Sequence, residues 1–290
     1  MKRMLSPRLR VVISMAIFGT IGLFVRNISV ASGELALYRA MLAALLIGGF
    51  LLITGQKLPL RSLGKELYLL LLSGIAMGFN WILLFEAYKY TTVAISTLSY
   101  YFAPVIVTAV CPFLFKEKLT KKQILCFLMS TIGLALVIGI TDLGSGGNDT
   151  AGIAFGLGAA FLYATVILLN KFIRGVTGIH RTFLQFLAAI AVLLPYVAVT
   201  GGFHLETLSS SGWVCLLVVG IVHTGITYCL YFSSLKELPG QEAAILSYVD
   251  PLVAVVIGIL LLKEPFSWQQ LAGGALILGF TLWNELGSSQ

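Results

Sequence analysis

Charge is what this chain has least of. Only 11% of its 290 residues are Asp, Glu, Lys or Arg, and just 12 are acidic. A soluble domain of this length needs far more charge to cover its surface. Histidine is also scarce: His180, His204 and His223 are scattered along the chain. There is no His-Glu-x-x-His, no Gly-x-Ser-x-Gly and no pair of aspartates inside an apolar run, so the common metal and nucleophile chemistries have no footing. We therefore expect no enzyme, no metal and no cofactor. Absence of a Gly-x-x-x-x-Gly-Lys-Ser/Thr loop argues against direct use of ATP. The four cysteines (Cys111, Cys126, Cys215, Cys229) form no Cys-x-x-Cys pair and read as small packing residues.

What is present is apolar. Hydrophobic residues make up 58% of the chain, and the mean hydropathy is +0.97. A bilayer core asks for about 20 apolar residues per helix. Segments bounded by charge or turn residues fall at 9–26, 34–54, 66–86, 93–115, 123–141, 151–171, 182–200, 212–234, 242–262 and 268–286, which predicts ten spans and no separate soluble domain. The basic start, Met1 to Arg10, resembles that of a signal peptide. The run Val11 to Val25 ends without a small-x-small site, so it is expected to stay as the first span.

The net charge of +7 raises nucleic acid as a partner, but the cations lie in loops on alternate sides of the spans. With the N-terminus in the cytoplasm, 15 Lys and Arg fall inside. Only Arg26, Lys89 and Lys263 fall outside, and Arg39 lies within a span. That bias puts both termini in the cytoplasm, and the short loops suit a bacterial inner membrane.

The chain also repeats itself. Phe85–Gln123 can be laid on Phe232–Gln270 without a gap, so that Tyr101 meets Tyr248, Pro104 meets Pro251, Lys116-Glu117 meets Lys263-Glu264 and Gln123 meets Gln270. Leu42-Ala43-Ala44 likewise meets Leu187-Ala188-Ala189 at a slightly different offset. The reading is two halves, 1–141 and 151–290, joined by a Gly/Ser-rich linker at 142–150. Five spans per half make the repeats inverted, a recurrent plan for secondary transporters.

The run from Ala243 to Pro265, followed by Gln270 and Gly273-Gly274, resembles the repeat signature of the EamA family of the drug/metabolite transporter superfamily. Ser96 to Glu117 carries the same signature, with Pro104 in place. The resemblance implies an all-α bundle of ten transmembrane helices around a central cavity lined by spans one to four and six to nine. The fifth and tenth spans would lie at the periphery, where they could support a homodimer. Substrates in such families include amino acids, nucleotide sugars and sugar phosphates, so the resemblance leaves the substrate open. Arg39 is the one cation inside a span, which disfavours a multiply phosphorylated cargo. A small metabolite, best matched by an amino acid or relative and exported, is the leading expectation; a lipid-carrier flippase is the alternative.

Polar groups at membrane depth need partners or a wet cavity. Asp250 precedes Pro251, and its counterpart in the first half is Ala103. It either pairs with a basic residue near the cytoplasmic mouth or serves a substrate ammonium or a coupling proton. His223 stands opposite Ala76 in the repeat. It is a neutral interhelical bond or a group that titrates near neutral pH. Arg39 and Glu86 have similar depth and opposite charge. They are expected to pair as a gate or structural contact, the alternative being Arg39 as a carboxylate clamp. Asn80, Trp81, Tyr101, Tyr228 and Tyr248 complete the candidate substrate-binding set, beside Tyr100 and Tyr163. Pro104 and Pro251 are expected to break their helices. Gly74-x-x-x-Gly78 and Gly152-x-x-x-Gly156 read as close helix contacts.

Overall fold

The computed structural model describes residues 6–58, 64–115, 120–138, 148–176, 178–235, 237–238 and 246–286. Most of the expected linker and the paired Lys116-Glu117 lie outside these residues, and so do Lys2, Arg3, Arg61, Lys118 and Lys236. Among the described residues every regular element is a helix. Four are long and unbroken: α3 (Ser32–Ile53), α4 (Leu67–Tyr90), α8 (Asn148–Phe172) and α9 (Gly178–Thr200). At 1.5 Å per residue each is roughly 33–38 Å long, enough to cross a bilayer. Two composite segments, Pro7–Val25 and Ser210–Tyr231, are also long and apolar enough. Asn148-Asp149-Thr150, expected in the linker, form the first turn of α8, where Asp149 meets the positive end of the helix dipole.

The remaining helices are broken in ways the composition explains. α1 (Pro7–Gly19) and α2 (Ile21–Val25) meet at Thr20, whose hydroxyl donates to the Ile17 carbonyl at 2.7 Å. α5 (Val93–Tyr100) and α6 (Ala103–Phe115) are separated by a turn at Tyr101-Phe102. Pro104 is the second residue of α6, where a missing N–H costs nothing. Tyr248 makes the matching turn before α12 (Val249–Leu260), with Pro251 again in the first helical turn. The expected breaks therefore exist, placed two or three residues upstream of each proline.

α10 (Ser210–Leu217) and α11 (Thr227–Leu235) are joined by a π-helical stretch, Val218–Ile226. The hydroxyls of Thr224 within it and of Thr227 just after it donate to carbonyls five residues back, those of Val219 and Val222, at 2.8 and 2.7 Å. The apolar run had read as one ordinary span.

The first-half helices pack mainly on second-half ones. α4 lies between α8 and α9, α3 between α9 and the π stretch, α1 between α11 and α12, and α5 between α8 and α12. α7 (Lys121–Ile138) and α13 (Trp268–Leu286) pack on each other. Small residues permit this. Gly74 and Gly78 accept Ala188, Ala189 and Leu193 of α9, while Gly152 and Gly156 accept Thr91, Ser96 and Ser99 at α5. Gly133 and Gly273 bring the α7 and α13 backbones into contact, and a Cβ on either would strike the other's carbonyl. Ile124, Leu128, Ile132, Leu271 and Trp283 remain exposed on this pair, as a lipid-facing surface requires. Among the described residues Cys126, Cys215 and Cys229 form no disulfide.

Candidate functional site between the helix breaks

Arg39 sits two turns into α3 and is 4% exposed. Its Nε donates to Thr224 Oγ1 at 2.7 Å, and its guanidinium carbon lies 4.6 Å from the Trp81 ring centre and 5.6 Å from that of Phe85. The π stretch supplies the acceptor, because Thr224 there donates its own proton to Val219 and turns a lone pair toward Arg39. The expected Arg39–Glu86 pair is not formed. Glu86 follows Phe85 by one residue, about 100° round the helix, and binds Lys89 at 3.1 Å instead. Similar depth on neighbouring helices did not put the two side chains on facing sides.

Asp250 opens α12. Its Oδ2 accepts a 2.8 Å bond from the Tyr101 hydroxyl, and among the described residues no basic side chain pairs with it. The cytoplasmic ion pair considered from sequence is therefore absent there. Tyr101 belongs to the turn between α5 and α6, so each half contributes its helix break to this contact. The same hydroxyl lies 3.4 Å from the carbonyl of Ser247, four residues before Pro251. Tyr248 faces Tyr101 at 6.4 Å between ring centres, and Tyr100 stacks on Tyr163 at 5.2 Å.

His223 and Asp250 do not touch. The break between α1 and α2 separates them: Thr20 Oγ1 lies 2.8 Å from His223 Nε2, while Gly19 packs against the Asp250 carbonyl. His223 Nδ1 is 3.3 Å from the Val218 carbonyl, and Phe24 meets the imidazole edge-on at 5.1 Å. Asn80 donates to the Ala159 carbonyl at 2.6 Å, fastening α4 to α8 while only 2% exposed. Trp81, Phe186, Tyr228 and Phe18 form a continuous edge-to-face series with ring spacings of 5.4, 5.4 and 5.2 Å. That series begins at Arg39.

Sequence reasoning missed several members. Thr20, Thr224, Phe18 and Phe186 carry no signal in an apolar run. Glu34 did carry one, as an acid in the first turn of a span. It is 1% exposed and accepts bonds from the His204 backbone N–H at 2.6 Å, from Tyr38 Oη at 3.1 Å and from the Ala31 N–H at 3.4 Å. His204 Nδ1 lies 3.1 Å from its second oxygen. Glu264, of the repeated Lys-Glu, is buried at the start of α5. It pairs with Arg26 at 2.8 Å and accepts from the Val93 and Ala94 N–H groups at 2.9 and 3.4 Å. Beside it opens a cavity of about 410 Å³ lined by Arg26, Ser32, Leu35, Phe85, Tyr88 and Lys89 among others. Phe85 is thus shared between this cavity and Arg39.

Comparison with known proteins agrees with this architecture. A solved crystal structure superposes on 97% of this chain and 96% of its own with a TM-score of 0.64, at 18% identity, a likeness of fold alone. An uncharacterized transporter of Archaeoglobus fulgidus is 31% identical over 95% of both chains. The Bacillus subtilis uncharacterized transporter YxxF is 34% identical over 86% of this chain and 79% of its own. Protein PecM of Dickeya dadantii is 27% identical, covering 82% and 80%. The model of the EamA-like transporter family matches residues 8–139 and again 150–284, and the chain belongs to that family.

Proposed function

We propose that the chain is a secondary transporter that carries a small metabolite, an amino acid or close relative, out of the cell by alternating access. It crosses the inner membrane ten times as two inverted five-helix halves, with both termini in the cytoplasm. The observation that carries this reading is the pattern of packing between the halves. Exchanging first-half and second-half spans turns α1 on α11 into α8 on α4, α1 on α12 into α8 on α5, and α3 on the π stretch into α9 on α4. The contacts α3 on α9, α5 on α12 and α7 on α13 map onto themselves. A molecule whose interhalf contacts are interchangeable in this way has two arrangements of similar energy, which alternating access demands. The two family-model matches, one per half, support the same division. In this reading Asp250 is the carboxylate that exchanges a proton against substrate.

The test is counterflow of labelled amino acids into proteoliposomes, run as a panel with and without a pH gradient. Saturable accumulation of one class is expected, and a response to the gradient would assign the proton as coupling ion. No accumulation of any member, with folded protein in the vesicles, would overturn the amino-acid reading.

A further inference from the structure

The charged groups enclosed by the helix packing, with Glu34, Arg39 and Glu264 buried and Asp250 half-buried, fall into two kinds. Glu34 and Glu264 are satisfied by protein donors on both oxygens. Arg39 and Asp250 are not. Arg39 bonds through Nε alone, and among the described residues neither Nη1 nor Nη2 has a hydrogen-bond partner. Asp250 bonds through Oδ2 alone, and among the described residues Oδ1 has none. A guanidinium and a carboxylate at membrane depth with unfilled bonding capacity are costly, unless a ligand fills it.

The two groups share surroundings. Tyr100 and Tyr228 each lie within electrostatic reach of both Arg39 and Asp250. Tyr228 is the third ring of the series that starts at Arg39, after Trp81 and Phe186, and Tyr100 meets Tyr101, the partner of Asp250, edge-on at 6.0 Å. Arg39 comes from the first half and Asp250 from the second.

We infer that the transported molecule is a zwitterion held end to end: its carboxylate on the two free Nη groups of Arg39, its ammonium on Asp250 Oδ1, its body along Tyr228 and Tyr100. Two parallel N–H donors suit a carboxylate, and an ammonium over tyrosine faces gains cation–π attraction. A ligand with one charge would leave the opposite group unmatched. One bound molecule also ties the two halves together, so occupancy biases their relative position.

This inference rests on the transporter reading and fails separately from it. The experiment measures binding to the purified full chain by thermal shift, using a panel of α-, β- and γ-amino acids. The tightest ligand is then compared with its decarboxylated amine and its deaminated acid. Both analogues should bind at least about 30-fold more weakly. Asp250→Asn should weaken the zwitterion and the amine while leaving the acid unchanged; Arg39→Lys should weaken the zwitterion and the acid while leaving the amine unchanged. A variant that only loosened the fold would weaken all three together, and that outcome overturns the assignment. So does an amine or an acid that binds as tightly as the zwitterion, or a panel in which no zwitterion binds. Zwitterion binding without flux in vesicles would instead sink the transporter reading alone.

Discussion

Arg39 depends on a hydroxyl that no pattern in the sequence announces. Thr224 accepts its Nε bond at 2.7 Å inside a packed interior. Thr224→Val keeps the shape and removes the acceptor, and should lower unfolding stability by about 2 kcal/mol, since a hydrogen bond to a charged group is lost. Denaturation in detergent would show it; unchanged stability would mean that Arg39 finds another acceptor. Glu86 should behave differently. Its pair with Lys89 is partly exposed, so Glu86→Gln should cost about 0.5 kcal/mol or less. In a double-mutant cycle with Arg39→Gln the effects should add to within about 0.5 kcal/mol, whereas a larger coupling would restore the direct pair. Arg39, Asp250, Tyr101 and His223 were legible in the sequence because charge, imidazole and phenol stand out in apolar runs. Their partners were not. Which face of a helix a side chain occupies is set by packing, and one residue of offset separated Glu86 from the Phe85 that touches Arg39.

At the scale of elements, the repeated Lys-Glu acquires a structural role. Glu264 follows α12 across a turn where Lys263 takes a positive φ of 51°, and its carboxylate caps the N-terminus of α5 while pairing with Arg26. Glu264→Gln removes the charge from a largely buried pair and should destabilise by about 3 kcal/mol. The double variant with Arg26→Gln should lose less than the sum of the two singles; a simple sum would mean that the ion pair contributes nothing. The α7–α13 contact offers a second check. Gly273→Val drives a branched side chain into the Gly133 backbone, and overpacking of this kind should cost about 2 kcal/mol or more. If Gly273→Val keeps wild-type stability, the two helices are not in backbone contact. Helix positions followed from hydropathy to within a few residues, and the breaks near Pro104 and Pro251 followed from proline chemistry. The π stretch did not, because Val218–Ile226 has the composition of any apolar helix; in space Leu42 and Leu46 of α3 pack against its Gly220 and Gly225.

At the scale of the whole molecule, the described helices before residue 141 pack mainly on those after residue 147. Tyr101 and Tyr248, which align without a gap in sequence, also face each other in space at the two helix breaks. The repeat could not foreshadow the chemistry, because Arg39 and Asp250 are among the positions where the halves differ. The account stands on those two residues, one from each half, holding the same molecule. The most direct measurement is counterflow exchange of the substrate by proteoliposomes carrying wild type or Asp250→Asn, with thermal stability of both proteins recorded alongside. The account predicts saturable exchange by the wild type and its loss in Asp250→Asn at matched stability. Undiminished exchange by Asp250→Asn would contradict it.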